Sequence, residues 1–514
     1  MRTAQPLQLS LFDSDDDPLS QLRGSPQGQY LRSYLADLDA KTVLVEPAYF
    51  DRDYLSEFAA FYCTSAAGYP NVCRRLHYFS QQVDRNAFER AVSGDAGERE
   101  RLTSSYLGFI VLRPIPKTPI GRTVLCWYPD AAPQLPRVVE PSRKYVCNVA
   151  GLALQVRGLA WQQQDAGVGA CATVALWSML QSSAFDDRHV VPTTADVTRA
   201  AHAPGMSAFR AFPSKGLGFG QLIATLRDSG FAPLVIPGDR NGAGDLEQFT
   251  REHFSASLAA LIRSGYPVLI AGMLVKPRPA GGYDEIGRHA VCAVGFRQAS
   301  SMPPTPGDLD FEDAGTEYIY LHDDNLGPAA RFRIEVDASG SIFLRATPPP
   351  ARHGLLLDDP TISHPLLRPS ALLAAAHDDV RLSPDVLHAR ALDLGAMLTA
   401  ATGGKLGLTV SARFSRLARY VCEELERVLP LNPTVLGRVR LELSEKVPPM
   451  SLHIGVVRFG IGPTPLLDVL YDTTDSEPNT QAFCHVAYNP AMPPLIEHAC
   501  SLGGVDLGVS ISAF

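Results

Sequence analysis

The chain has 514 residues, of which 46% are hydrophobic and 19% are charged, and its formal net charge is −8. This length exceeds what one hydrophobic core usually supports, so two or three folded domains are expected. The acidic balance, with no basic stripe interleaved with aromatic residues, argues against broad binding of nucleic acid or anionic membranes. We therefore expect neither nucleic acid nor a membrane among the partners.

The nine cysteines are an odd number, spread widely and without CxxC pairs. This pattern is unlike a disulfide framework or a zinc site, so we expect reduced thiols and neither a metal nor another cofactor. The sequence begins MRTAQP, which lacks the apolar core of a signal peptide, and no apolar run is long enough to span a bilayer. The expected location is the cytoplasm.

Residues 1–40 are polar and acidic, most clearly in the run DSDDD at 13–17. Such a stretch predicts a flexible acidic arm, because it cannot bury enough apolar surface to order itself. The preceding QLSLF resembles the short peptide with which bacterial proteins dock on the replication sliding clamp. In the competing interpretation, the segment packs on the protein's own core. The residues that would contact a clamp are Gln8, Leu9, Leu11 and Phe12.

Residues 41–150 have the pattern of a small α/β domain. The strand-like runs are 42–46, 106–113 and 120–127, and residues 53–62 have helical spacing. The prolines at 114, 116 and 119 mark the turn between the last two strands.

The segment QQQDAGVGACAT, residues 162–173, directly precedes a long apolar run. It predicts a loop with glutamines, a turn containing glycine, and Cys171 at the first turn of a buried helix. A cysteine entering an apolar helix is most often only a core residue. However, the unpaired N–H groups and positive dipole end of a helix N-terminus favour a thiolate, so Cys171 is a candidate nucleophile.

Two later strand-like runs carry the other groups that a cysteine nucleophile needs. His289 starts the run HAVCAVGF, and the run YIYLHDDN ends in Asp323, Asp324 and Asn325. Such a nucleophile requires a base, a group that orients the base, and donors for the developing oxyanion. His289 is the candidate base, since its ordinary pKa lies nearest neutrality. Asp323 is the preferred orienting group, and Asp324 and Asn325 remain alternatives.

The glutamines before Cys171 are candidates for the oxyanion hole. Gln164 would donate a side-chain N–H beside the backbone N–H of Cys171. Gln162 and Gln163 remain alternatives. The glycines at 216, 218 and 220 lack the spacing of a dinucleotide-binding loop and predict a loop that lines the substrate cleft.

The chain order Gln, Cys, His, Asp resembles that of the papain-like cysteine peptidases, and residues 150–340 resemble the bacterial branch that trims double-glycine leader peptides. That branch has a Gln, a Cys on a helix, the motif His-x-Val-x-x-Val-Gly-Tyr and a strand ending in Asp-Pro. The chain differs from this pattern at three places: Ala172 follows the cysteine where Gly is usual, Gln164 lies seven positions before Cys171 where six is common, and Asp324 replaces the proline. The resemblance implies an α+β fold with a papain-like core at 151–350.

From residue 351 the composition shifts, which predicts a separate α+β domain over 351–514. Helices are predicted near 371–377 and 411–428, and strands near 438–443, 452–459 and 466–471.

Two classes of function fit these features. In the first, the chain is a cysteine peptidase acting on a protein or peptide-like substrate through a thioester, or an acyl- or amide-transfer enzyme with the same dyad. In the second, it is an adaptor or sensor that keeps the scaffold without catalysis.

Overall fold

The structure is a computed structural model. It describes residues 6–66, 68–129, 137–186, 190–203, 210–240, 247–279, 281–298, 304–311, 315–347, 365–429, 432–447, 452–474 and 482–514. Helices and strands are mixed throughout, which confirms the α+β class.

The N-terminal part is built on an antiparallel sheet with the strand order β1-β2-β3-β4-β5. The apolar runs predicted to be strands lie in β2, β4 and β5, and the predicted helix is α2. An antiparallel hairpin, β7–β8, follows the sheet. The elements are β1 (Gln8–Leu11), α1 (Pro26–Asp37), β2 (Thr42–Tyr49), α2 (Arg52–Ala60), β3 (Cys73–Phe79), α3 (Arg85–Ser93), α4 (Ala96–Ser104), β4 (Tyr106–Leu112), β5 (Ile120–Leu125), β6 (Arg137–Val138), β7 (Arg143–Val149) and β8 (Leu152–Gly158).

The described part of residues 1–40 is folded, so the prediction of a flexible arm is wrong for residues 6–40. Strand β1 pairs antiparallel with β2, and Phe12 makes an edge contact with the ring of Tyr78. Asp17 is buried at the head of a short 3₁₀ helix, where its carboxylate accepts hydrogen bonds from Leu19 N and Tyr78 Oη. The acidic run is therefore ordered by contacts that cannot be inferred from its composition. Docking of residues 8–12 on a partner stays a prediction.

The central part contains a closed ring of six antiparallel strands, in the order β12-β13-β15-β16-β17-β18 and back to β12. Strand β9 extends the ring at β18, and β6 pairs with β13. Helix α5 packs on β13, β12 and β15, and its residues from Ala172 to Met179 are all buried. The elements are α5 (Cys171–Met179), α6 (Thr194–Ala201), α7 (Phe219–Asp228), β9 (Ala232–Pro237), β10 (Asp239–Arg240), β11 (Glu247–Gln248), α8 (Arg251–Arg263), β12 (Val268–Pro277), β13 (Tyr283–Arg297), β14 (Leu309–Phe311), β15 (Tyr318–Asp323), β16 (Gly327–Val336), β17 (Ile342–Ala346) and β18 (Leu366–Ala376).

The boundary predicted at residue 350 divides this closed sheet, because β18 belongs to it. A helix was predicted near 371–377, but residues 371–376 lie in β18 between β12 and β9. A fully buried strand has a continuous apolar run, which periodicity alone does not distinguish from a buried helix. Residues 351–364 lie outside the described part of the chain.

The C-terminal part has a six-stranded sheet in the order β14-β19-β20-β21-β22-β23, and its first strand comes from the central part. The predicted strands at 452–459 and 466–471 lie in β20 and β21. The predicted strand at 438–443 is instead inside a helix that begins at Pro433, is capped by Asn432 and buries Leu436, Val439 and Leu443. The predicted helix at 411–428 begins as strand β19. The elements are α9 (Pro384–Ala401), β19 (Leu408–Arg416), α10 (Leu417–Arg419), a π-helical turn (Tyr420–Glu424), α11 (Leu425–Val428), α12 (Pro433–Lys446), β20 (His453–Ile461), β21 (Thr464–Asp472), β22 (Ala482–Ala487), α13 (Met492–Gly503) and β23 (Val509–Ser512).

Among the helices of the described residues, none has the length and apolar character needed to cross a bilayer.

Candidate active site

Cys171 is the first residue of α5, as its position in the sequence predicts. The preceding residue, Ala170, is extended and offers no side-chain cap to the helix. Because the first N–H groups of a helix have no partner within it, the N–H of Cys171 is available to an anion beside the sulfur. The cysteine itself is half-buried, whereas the rest of the helix is core. The thiol therefore lies at a helix N-terminus on the boundary between core and solvent.

The loop before Cys171 is organised by Asp165, a role that the sequence analysis missed. Its Oδ1 accepts hydrogen bonds from the backbone N–H groups of residues 167, 168 and 169, at 2.7, 2.6 and 3.3 Å. Arg113 bridges Asp165 and Glu57, at 3.3 and 2.9 Å, and all three side chains are buried. An Asp followed by glycines two and four residues later is typical of such a turn, and this signal could have been used.

The three glutamines have different environments. Gln162 donates to Glu57 Oε1 at 3.1 Å, and Gln163 accepts from the backbone N–H of Ile120 at 3.4 Å; both side chains are buried. Gln164 is half-buried, and its Nε2 donates to Asn325 Oδ1 at 3.3 Å. Gln162 and Gln163 are thus engaged with the N-terminal part, while Gln164 points to the loop beside His289. The role of Gln164 as an oxyanion donor stays a prediction.

His289 lies on β13, the strand against which α5 packs, opposite Gly272 of β12. Its Nε2 is hydrogen-bonded to Asp323 Oδ1 at 3.2 Å, and the Cys171 side chain lies close enough to its ring to act on its pKa. Burial alone would lower the pKa of His289, but the charge and hydrogen bond of Asp323, with the contact to Cys171, raise it well above its ordinary value. A raised pKa favours an imidazolium that can pair with a thiolate.

Three adjacent side chains compete to orient His289. Asp323 Oδ1 lies 3.2 Å from Nε2, the Asn325 amide nitrogen 3.4 Å, and Asp324 Oδ1 3.8 Å. Burial, opposed by the positive charge of His289, raises the pKa of Asp324 to about 7. The nearest acceptor is therefore Asp323, and its Oδ1 also accepts from the backbone N–H of Asn325.

The same groups could in principle hold a cation. Ligand atoms of His289, Asp323 and Asp324 lie within 4.8 Å of one another. In the structure, Nε2 of His289 is hydrogen-bonded to Asp323 Oδ1, and a metal bound at this nitrogen would replace that hydrogen bond.

The N-terminal part supports the loop that carries the carboxylate. Gln27 on α1 donates to the carbonyl of Asp324 at 3.1 Å, and Tyr30 donates to the carbonyl of Pro328 at 2.9 Å. A Cβ at Gly327 would lie 2.1 Å from the Tyr30 ring, so only glycine fits there. These contacts join α1 to the far end of β15. They could not be found from the sequence, because nearly 300 residues separate the partners.

A cavity of about 670 Å³ opens beside the dyad. Cys171 and His289 line it together with the loop at 215–219, as predicted for the glycines at 216 and 218. Most of the remaining lining is apolar, and basic side chains stand at its edge. This volume is within the range of small-ligand sites and can hold a few residues of an extended peptide. The basic side chains are Lys215, Arg288 and Arg368.

No family model matches the chain, and no curated protein is similar to it.

Proposed function

We propose that this protein is a papain-like cysteine hydrolase, in the simplest case a peptidase. The observation that carries the proposal is the hydrogen bond between His289 and Asp323, with the Cys171 side chain beside the same imidazole ring and a cavity lined by Cys171 and His289. The closed antiparallel sheet packed against a helix that starts with the nucleophile supports the papain-like assignment of the core. The nine free cysteines support a cytoplasmic location.

In this reaction the Cys171 thiolate attacks the scissile carbonyl carbon. The resulting oxyanion accepts hydrogen bonds from the backbone N–H of Cys171 and from Gln164. His289, held by Asp323, then donates its proton to the leaving amine, and a thioester remains on Cys171. Water, with its proton taken by His289, attacks the thioester and releases the acid product and the free thiol. An amine attacking in place of water would make the protein an acyl-transfer enzyme.

Alkylation with iodoacetamide tests whether Cys171 is activated. Cys63 and Cys422 are exposed, whereas Cys171 is half-buried, so these two are internal controls for access. An activated Cys171 should react faster than both, and its advantage should grow as the pH falls below the ordinary thiol pKa of about 8.5. If Cys171 reacts more slowly than both exposed cysteines at every pH, the protein is an inactive scaffold.

Turnover is tested with a peptide library analysed by mass spectrometry. Hydrolysis should give products with a new carboxyl end, and these should be missing with Cys171→Ser. If the library gives amides only when an amine is added, the acyl-transfer reaction is the main one. A reactive Cys171 without turnover in either assay would point to a substrate class other than peptides.

A further inference from the structure

A second cavity, larger than the one beside Cys171, has a volume of about 840 Å³. It lies where β6, β8 and α8 face the C-terminal sheet. Its walls come from the β6 region, β8 and the end of α8 on one side, and from β19, β20 and the helical turns after β19 on the other. Its volume is within the range of small-ligand sites.

The lining of this cavity is rich in arginine. The N-terminal part contributes Arg137 and Arg157, and the central part contributes Arg263. The C-terminal part contributes Arg413, Arg419, Arg427 and Arg458. Two carboxylates, Glu140 and Glu424, stand among the same lining residues. This excess of positive charge contrasts with the net charge of −8 for the whole chain.

Some of these arginines are neutralised by nearby acids. Arg413 is held by Glu424 at 2.5 Å, and Arg458 is held by the buried carboxylate of Asp468, which lies behind the wall, at 2.6 Å. Arg419 and Arg427 share the carboxylate of Glu140, at 2.8 and 3.5 Å, and a more distant one, that of Glu423, at 3.8 and 3.9 Å. Two guanidinium groups have ten N–H donors between them, so donors remain for an additional anion.

Two arginines have neutral partners. Arg137 donates to the carbonyl of Tyr128 at 2.7 Å, and its guanidinium stacks on aromatic rings of the neighbouring strands. Its Nη1 is buried and makes no hydrogen bond within the described part of the chain. Arg157 donates to the hydroxyl of Ser142 at 3.0 Å. Neither guanidinium group forms an ion pair within the described part of the chain, so both add uncompensated positive charge to the lining of the cavity.

We propose that this arginine cavity binds a small molecule that carries several phosphate groups. Guanidinium groups form paired hydrogen bonds with phosphate oxygens, and several of them converge on one space here. The described lining residues include no aromatic side chain that could stack on a base, so the phosphates themselves are the recognised feature. This inference is independent of catalysis at Cys171.

Calorimetric titration of the full chain with inorganic tripolyphosphate, ATP and a ten-nucleotide DNA tests the proposal. Tripolyphosphate should bind one to one, with an affinity that falls as NaCl is raised. ATP should bind with similar affinity. Binding of ATP without binding of tripolyphosphate would overturn the proposal in favour of base recognition. Tighter binding of the DNA would overturn it in favour of a nucleic-acid surface.

Two sets of substitutions locate the ligand. Replacing Arg157 and Arg427 together by Gln should weaken tripolyphosphate binding about tenfold, since both line the cavity. The matched control replaces Arg333 and Arg345 by Gln; both are exposed, each is paired with one glutamate, and both lie outside the cavity. Equal losses in the two variants would show general attraction of an anion and would overturn the proposal.

A third substitution should change affinity in the opposite direction. Glu140→Gln removes the nearer of the two carboxylates that pair with Arg419 and Arg427, so tripolyphosphate should bind more tightly. The melting temperature without ligand is measured in parallel to verify folding. A variant with the native melting temperature and weaker binding would contradict the assignment of this cavity.

Discussion

Trp161 and Asp323 are joined by a hydrogen bond of 3.0 Å from the indole Nε1 to the backbone carbonyl. The tryptophan is also bridged to Thr123 of β5 through two backbone hydrogen bonds, of 2.7 and 3.0 Å. One residue therefore joins the N-terminal sheet, the loop before Cys171 and the end of the strand that carries the carboxylate. A shift of Trp161 would therefore move Asp323 relative to the segment that leads to Cys171.

Trp161→Phe should lower both stability and the alkylation rate of Cys171, because it removes the donor to Asp323. The matched control is Trp177→Phe on α5, since the Trp177 indole N–H is buried without a hydrogen-bond partner among the described residues. Both changes remove the same volume from a fully buried site. Trp161→Phe should lower the free energy of unfolding, measured in urea, by about 1 kcal/mol more than Trp177→Phe does, which is the typical contribution of one hydrogen bond. Equal losses in both variants would mean that the hydrogen bond contributes nothing.

Substitutions of Cys171, Asp323 and Asp324 should lower turnover by different amounts, according to the chemical role of each residue. Cys171→Ala should abolish turnover, and Asp323→Asn should lower kcat by about 10²- to 10⁴-fold while leaving KM nearly unchanged. Because Asp323 raises the pKa of His289, its loss should also move the alkaline limb of the pH–rate profile to lower pH. Asp324→Asn serves as the control and should cost less than about tenfold. A larger effect at Asp324 or Asn325 than at Asp323 would reassign the orienting residue.

Asp324 should reduce stability at neutral pH. Its pKa is about 7 in the folded protein and near 3.9 when unfolded, so the folded state holds a proton that the unfolded state has lost. The contribution of this carboxyl to stability therefore falls as pH rises from about 4 to about 7. Asp324→Asn should be neutral near pH 4 and stabilising by about 1 kcal/mol or more at pH 7.5, measured by urea unfolding. A gain that is the same at both pH values would exclude titration of Asp324 as the cause.

Alanine substitutions of Gln164 and Gln162 distinguish a role in catalysis from a role in stability. Gln164→Ala should lower kcat by about 10²-fold or more with little change in unfolding, since a donor to the oxyanion acts in the transition state. Gln162→Ala should mainly lower stability, because the buried Glu57 loses a donor. If Gln164→Ala left kcat unchanged, the backbone N–H of Cys171 would have to act with another donor.

The sequence predicted the local parts of the site well, because each depends on a short segment. Cys171 follows a glycine-bearing turn and starts an apolar helix, and His289 and Asp323 lie on apolar strands, so their elements could be inferred. The choice among Gln162, Gln163 and Gln164 could not, because it depends on Glu57 and on the backbone of Ile120 more than 40 residues away. The support of the carboxylate loop by Gln27 was missed for the same reason.

The errors in the fold have similar causes. Residues 371–376 and 438–443 were each assigned to the wrong element, because a short apolar run fits a buried strand and a helix equally well. The acidic run at 13–17 was predicted to be flexible from its composition. In the structure, Asp17 caps a 3₁₀ helix and Asp13 pairs with Arg23, so tertiary partners override the composition.

The last prediction concerns the N-terminal segment. Phe12 is partly buried and contacts Tyr78, whereas Leu11 is 54% exposed. Phe12→Ala should therefore lower the free energy of unfolding by about 2 kcal/mol or more, and Leu11→Ala should change it by less than about 0.5 kcal/mol. Docking of residues 8–12 on a sliding clamp would require β1 to leave β2, and Leu11 and Phe12 would then contact the clamp. If the segment docks in this way, Leu11→Ala and Phe12→Ala should both weaken clamp binding. If both variants lose clamp binding and only Phe12→Ala loses stability, the result supports docking by a strand that has left the sheet. If the native chain does not bind the clamp, the docking hypothesis is wrong.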